Sequence, residues 1–180
     1  MERYIALLRG INVGGKRIIK MDDLKTVLSS IGLKNIITYI QSGNIIFDCP
    51  KSNIQVLEEK MKKEIFKSFG FEVPVIIRTH EEYIALTDRN PFFNAESDTS
   101  KLVITFLQQK PNAEDIRITE KLDFPPDKFQ IKGKEVFIYC ESKYHLTKIS
   151  NSFFEKKLNT HATSRNWKTL NKILQMIKSK

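Results

Sequence analysis

Apolar and polar positions along this chain switch between two periods, and the switching divides it into two halves with one grammar. Residues 4–8 are an apolar run of strand length. Leu24, Val27, Leu28 and Ile31 then recur at helical spacing, with Gly32 behind them as a stop and Asp22 ahead as the expected cap. Residues 36–40 and 44–48 read as the two strands of a hairpin around Ser42-Gly43. Ser52 and Gln55 have capping-box spacing ahead of a longer helix, whose face is Ile54, Leu57, Met61 and Ile65 and whose end is Gly70. Residues 73–78 form the next strand, and Pro74 near its start favours a sheet edge. The order is β-α-β-β-α-β, the split βαβ or ferredoxin-like arrangement.

The second half repeats it. Residues 102–107 predict a strand, 112–121 a helix, and 128–131 with 135–139 a hairpin around Lys132-Gly133-Lys134. Ser152 and Glu155 again have capping-box spacing, opening a helix with Phe153, Phe154 and Leu158. A short strand near Ala162 completes the unit. One more helix follows, with Trp167, Leu170, Ile173, Leu174 and Ile177 on one face and Ser164 or Asn166 as its cap. Between the halves, Thr79 and Glu82 are spaced to cap a short helix. Asn90-Pro91 then breaks the chain, and a polar run continues to Ser100. The expected fold is α+β: two ferredoxin-like (β-α-β-β-α-β) units in tandem, with an extra C-terminal helix. Residues 1–79 are the first unit, 80–100 a linker with a short helix, and 101–180 the second unit with the last helix. The halves share pattern, not sequence.

An apolar content of 41%, with twelve Phe, suits packed cores rather than disorder. Charge changes the picture more. The net charge is +9, and from Lys143 onward nine cations face Glu155 alone, so nearly all the excess sits in the last fifth of the chain. That asymmetry suits a polyanionic partner such as nucleic acid, a nucleotide or a membrane surface, or else a solvated basic helix that keeps the protein soluble. Cys49 and Cys140 form no CxxC pair, which points to reduced thiols and a cytoplasmic location. No segment approaches a membrane span or a signal-peptide core, and no membrane partner is expected.

The densest candidate chemistry is Arg9-Gly10-Ile11-Asn12-Val13-Gly14-Gly15-Lys16-Arg17. It nearly spells a phosphate-binding P-loop. The position after the Lys needs Ser or Thr for magnesium and holds Arg17 instead, and the following helix starts too late to aim its N-terminus at a phosphate. A P-loop NTPase is excluded. A weaker anion site survives, in which glycine N–H groups donate and Arg9, Lys16 and Arg17 supply charge. The competing account is a glycine-rich turn or hairpin extension with its cations in water.

Gln41-Ser42-Gly43-Asn44 is ordinary hairpin chemistry, and Gln41 and Asn44 join the site if that turn meets the loop. Ser42 lacks the setting of a hydrolase nucleophile. At Thr163-Ser164-Arg165-Asn166-Trp167, hydroxyls and an Arg at a helix start form a second anion site, with capping as the plainer role. His80, His145 and His161 have no metal-ligand spacing. Residues 132–139 begin like an RNA-recognition signature, but Lys134 and Val136 occupy its stacking positions.

These segments resemble a bacterial family known as domain of unknown function 1697. The resemblance rests on residues 8–16, on Tyr39-Ile40-Gln41-Ser42-Gly43-Asn44-Ile45-Ile46-Phe47 and on residues 73–79. It extends to Lys148-Ile149-Ser150-Asn151, Phe154-Glu155-Lys156-Lys157-Leu158 and residues 162–167. Arg17 and Lys168 stand where that family often has Asn, and both add positive charge. The resemblance implies a cytosolic α+β protein with two ferredoxin-like units and no assigned chemistry.

The leading functional expectation is binding of a phosphate-bearing ligand, nucleic acid or nucleotide. Its residues are Arg9, Gly10, Asn12, Gly14, Gly15, Lys16, Arg17, Gln41 and Asn44, with Lys148, Arg165 and Asn166 in the basic C-terminal region. The first alternative is a small-molecule enzyme whose anionic substrate sits in a cleft between the units, oriented by Arg9, Lys16 and Arg165. The second is a structural or protein-interaction module, favoured if the glycines only form turns and an apolar patch is exposed. No cofactor or metal is expected.

Overall fold

The structure, a computed structural model, describes residues 1–141 and 143–178. Lys180 of the basic tail lies outside them. The chain divides into two compact units, Met1–Ile84 and Ala85–Lys180.

The first unit contains β1 (Glu2–Leu8), α1 (Met21–Ser30), β2 (Lys34–Tyr39), β3 (Asn44–Cys49), α2 (Ile54–Phe69), β4 (Val75–Thr79) and the short α3 (His80–Ile84). Its four strands pair antiparallel in the order β2-β3-β1-β4, the strand order of a ferredoxin-like sheet. Side chains alternate along β1, so Tyr4, Ala6 and Leu8 join the core under the helices. Leu24 and Leu28 of α1 and Leu57, Met61 and Ile65 of α2 close that core. Ile5 and Leu7, on the opposite face, are also buried, so this sheet offers no open platform for stacked bases. Pro74 lies just outside β4, which is an edge strand as the proline demands.

The second unit contains α4 (Leu86–Arg89), β5 (Leu102–Leu107), α5 (Ala113–Glu120), β6 (Lys128–Lys132), β7 (Glu135–Tyr139), α6 (Asn151–Leu158), β8 (Ala162–Asn166) and α7 (Trp167–Lys178). Its strand order, β6-β7-β5-β8, is the same. The polar run 80–100 is shared between the units, with α3 in the first. In the second unit, Arg89 reaches Glu135 at 2.9 Å and donates to the Lys132 carbonyl. Phe92 and Phe93 pack on Tyr139 and Trp167.

The repeat extends to individual bonds. Leu8 N–H donates to the Gly43 carbonyl and Arg9 N–H to that of Pro74; Leu107 N–H donates to Lys134 and Gln108 N–H to His161. Arg78 faces Ile5 across β4 and β1, and Arg165 faces Ile104 across β8 and β5. Each buried guanidinium donates to the carbonyl just before it, at 2.9 and 2.8 Å.

Three expected helix caps are displaced. Asp22 does not cap α1; the helix starts two residues earlier than such a cap would place it, after Lys20, and Asp22 sits in its first turn, paired with Lys25 at 3.1 Å. Asn53, not Ser52, caps α2, because the Ser52 hydroxyl donates to the Pro50 carbonyl instead. Ser150, not Ser152, caps α6, and the Glu155 carboxylate accepts from Ala162 N–H rather than closing a box. Two other expected caps are present. Thr79 and Glu82 exchange reciprocal bonds of 3.1 and 3.0 Å at α3, and Asn166 accepts from Thr169 N–H at α7.

Candidate anion-binding surface

The glycine loop leaves β1 and is shaped at once by its backbone. Asn12 N–H donates to the Arg17 carbonyl, and Lys16 N–H to that of Val13. Between them Gly14 and Gly15 both have positive φ, 58° and 71°. Two left-handed residues inside a closed four-residue turn are the signature of type I′, the turn whose twist matches a hairpin. Residues 12–17 are therefore a miniature β-hairpin. The glycines form the turn, and Lys16 and Arg17 give it its charge.

Asn12 holds this finger in place. Its side-chain amide donates to the carbonyls of Ile19 and Gln41 at 3.0 and 2.8 Å, and its oxygen accepts from Ile19 N–H at 2.8 Å. The bond to Gln41 fixes where the β2–β3 turn lies. It shares one end of the sheet with the glycine loop, so Gln41 stands beside the finger, exposed. Asn44 is placed differently. It is buried, with its amide donating to the Tyr39 carbonyl and to Ser42 Oγ, and so shapes the turn rather than facing solvent.

Gly14, Gly15, Lys16, Arg17 and Lys20 are exposed, while Arg9 and Gly10 at the base are partly covered. Among the described residues, Lys16, Arg17 and Lys20 have no ion-pair partner. No carboxylate occurs between Arg3 and Met21, nor between Leu24 and Phe47. This end of the unit carries the positive charge of Lys16, Arg17 and Lys20.

Three further residues mark this surface. Val13 is 66% exposed, Ile18 58% and Ile40 50%, and each adjoins a residue of the Asn12 clamp: Asn12 itself, Ile19 or Gln41. Sequence reasoning missed them, because Ile18-Ile19 and Ile40 look like ordinary strand or core positions. Arg17 and Ile40 also have positive φ, 51° and 50°. For a β-branched residue that conformation is an outlier, of the kind that collects at functional surfaces.

The C-terminal candidates separate in the second unit. Arg165 is only 7% exposed, in mid-strand, and its Nη1 donates to Thr163 Oγ1 and the Ser164 carbonyl. It lies in β8, one residue before the Asn166 cap of α7. Ser164 is likewise inside β8, its hydroxyl engaged with Thr105, Tyr144 and Asn151. Asn166 is the cap of α7, and Lys148 is exposed on the approach to α6. Lys168 and Lys172 lie one turn apart on the solvent side of α7. A cavity of about 940 Å³ in this unit is lined by Asp98, Asp123, Asp127 and Glu141 among others, the wrong sign for an anion.

Two tandem ferredoxin-like units, the first bearing a clamped basic finger, define the class of protein. The chain belongs to a family of proteins of unknown function, DUF1697, whose pattern matches residues 1–137. It is similar over its whole length to the conserved bacterial protein SP0830 from Streptococcus pneumoniae. That likeness has 28% identity and a TM-score of 0.78, covering 98% of this chain and 99% of that one. No curated protein matches. Among the described residues no helix is long and apolar enough to cross a membrane.

Proposed function

We propose that this chain is a cytoplasmic bacterial binding protein for a phosphate-bearing polyanion, and that the finger of the first unit is its contact surface. One observation carries the reading: Lys16 and Arg17 are held on a closed hairpin with no counter-ion among the described residues. A hairpin pinned at its base loses little freedom on binding, so its charges act preorganised. Lys16 and Arg17 make the contacts, Lys20 and Arg9 extend the field, and Asn12 and Asn44 are positioning residues. Lys148, Lys168 and Lys172 add a diffuse positive field that speeds encounter rather than forming a site.

The test is binding of labelled single- and double-stranded oligonucleotides by the full chain over a salt series, with inorganic phosphate as competitor. Log affinity is expected to fall linearly with log salt. Replacing Lys16 and Arg17 by Ala should flatten that slope by about two, roughly 0.9 for each duplex phosphate no longer neutralised. Absence of binding at low salt, or an unchanged slope in the double variant, overturns the proposal.

A further inference from the structure

The finger carries more than charge, and its other side chains indicate which phosphate surface it meets. We propose that this end of the first unit docks on an anionic lipid bilayer, with Val13, Ile18 and Ile40 entering the headgroup–acyl boundary and Lys16, Arg17 and Lys20 meeting lipid phosphates. The inference rests on the phosphate-binding reading and names its partner.

The composition of the surface bears on which polyanion it suits. Residues 9–20 and 40–43 contain no acid and no aromatic residue. A single-stranded nucleic acid site would combine its cations with aromatic platforms for the bases, and these segments have none. A protein partner would select against lysine, which is depleted at protein interfaces, yet Lys16 and Lys20 both stand here in solvent. Cations interleaved with exposed aliphatic side chains suit a bilayer surface, where apolar groups enter the acyl boundary and basic groups pair with anionic headgroups. No spanning segment is needed for such a mode.

The backbone shows the same display. Ile40 occupies the left-handed region, which disfavours a β-branched side chain, and remains half exposed, although Asn or Gly would fit that position without strain. Arg17 is held the same way on the other side of Asn12. The three bonds of Asn12 join the finger and the hairpin turn into one unit, so the aliphatic residues are presented together rather than on separate mobile loops.

Vesicle co-sedimentation of the full chain tests this. The arms are phosphatidylcholine alone, phosphatidylcholine with phosphatidylglycerol, and a soluble oligonucleotide measured in parallel. Of the two vesicle types, binding is expected only to the anionic one and should weaken with salt. Lys16→Ala and Arg17→Ala should each weaken it about fivefold, as one basic residue near a charged leaflet implies. The exposed pair Val13→Ser and Ile18→Ser, with circular dichroism matching the parent, should weaken vesicle binding by more than about tenfold. Oligonucleotide binding without vesicle binding overturns this inference and leaves the phosphate reading standing. Failure to bind either overturns both. Vesicle binding that ignores the Val13 and Ile18 changes overturns the insertion of aliphatic side chains.

Discussion

The tightest joint in the first unit is the approach of Gly43 to β1, and replacing it by Ala tests the packing directly. Gly43 has φ of 78°, and a Cβ built there would sit 2.6 Å from Leu8 Cβ and 3.0 Å from Ile11 Cδ1. Two penalties combine. An L-residue in the left-handed region costs about 1–2 kcal/mol, and forcing a methyl into packed side chains adds about 1–3 kcal/mol. The stiffer unfolded chain returns about 0.4–1 kcal/mol. The expected net loss is about 2–4 kcal/mol, or roughly 5–15 °C in Tm for a chain of this size. Gly14→Ala is the internal control. Its φ is 58°, but nothing lies within 4 Å of the added atom, so only the backbone penalty remains, about 1 kcal/mol or less. Thermal melts followed by far-UV circular dichroism, with urea titrations to check that the denaturant slope is unchanged, measure both variants. If Gly43→Ala melts together with Gly14→Ala, close approach to Leu8 and Ile11 is not what restricts this position.

Other outcomes follow from the same geometry. Asn12→Ala removes three side-chain hydrogen bonds and should cost about 1–3 kcal/mol, with faster amide exchange at Ile19, whose N–H it leaves without that acceptor. Thr79→Ala opens a reciprocal capping box and should cost about 1 kcal/mol in urea, whereas Asp22→Ala, which removes no cap, should stay within about 0.5 kcal/mol. Burial pushes the Cys49 thiol up, so the fold keeps it protonated at pH values where the unfolded chain has lost the proton. Stability should therefore fall as pH rises through the ordinary thiol value near ~8.5, and Cys49 should resist thiol reagents until the protein unfolds. Equal reactivity of Cys49 in native and urea-unfolded protein would refute that.

The fold was legible because periodicity and punctuation agreed. Residues 102–107 form a strand buried throughout, at the expected bounds, and Gly70 ends α2 in the left-handed conformation that a stop requires. Caps were harder to read where several hydroxyls compete. Ser52 and Ser152 have the right spacing, but Ser52 turns to the Pro50 carbonyl and Ser150 takes the cap that Ser152 was expected to hold. Arg165 was misplaced for a related reason. Its neighbours Ser164 and Asn166 both look like helix starts, and only the extent of β8 shows that Arg165 is inside a strand. Clustered glycines and cations marked the loop in the sequence, whereas its shape was not legible. Whether Gly14-Gly15 cradles an anion or turns a hairpin depends on φ, which composition does not encode. Val13, Ile18 and Ile40 escaped notice because an exposed aliphatic residue next to buried Ile11 and Ile19 has no separate sequence mark. Their exposure appears only in three dimensions.

The Asn12 clamp closes the base of the finger onto Ile19 and the neighbouring turn. That makes residues 13–18 a cassette, attached through a junction that does not depend on what the tip contains. The second unit joins the corresponding strand and helix with only Gln108 to Asn112, while keeping the backbone bonds of Leu107 and Gln108 that mirror those of Leu8 and Arg9. One scaffold thus carries a long insert in one copy and a bare connection in the other. Tip sequences can be exchanged, lengthened or tagged between Asn12 and Ile19 without renegotiating the sheet, which makes this position a natural grafting point for engineered recognition loops.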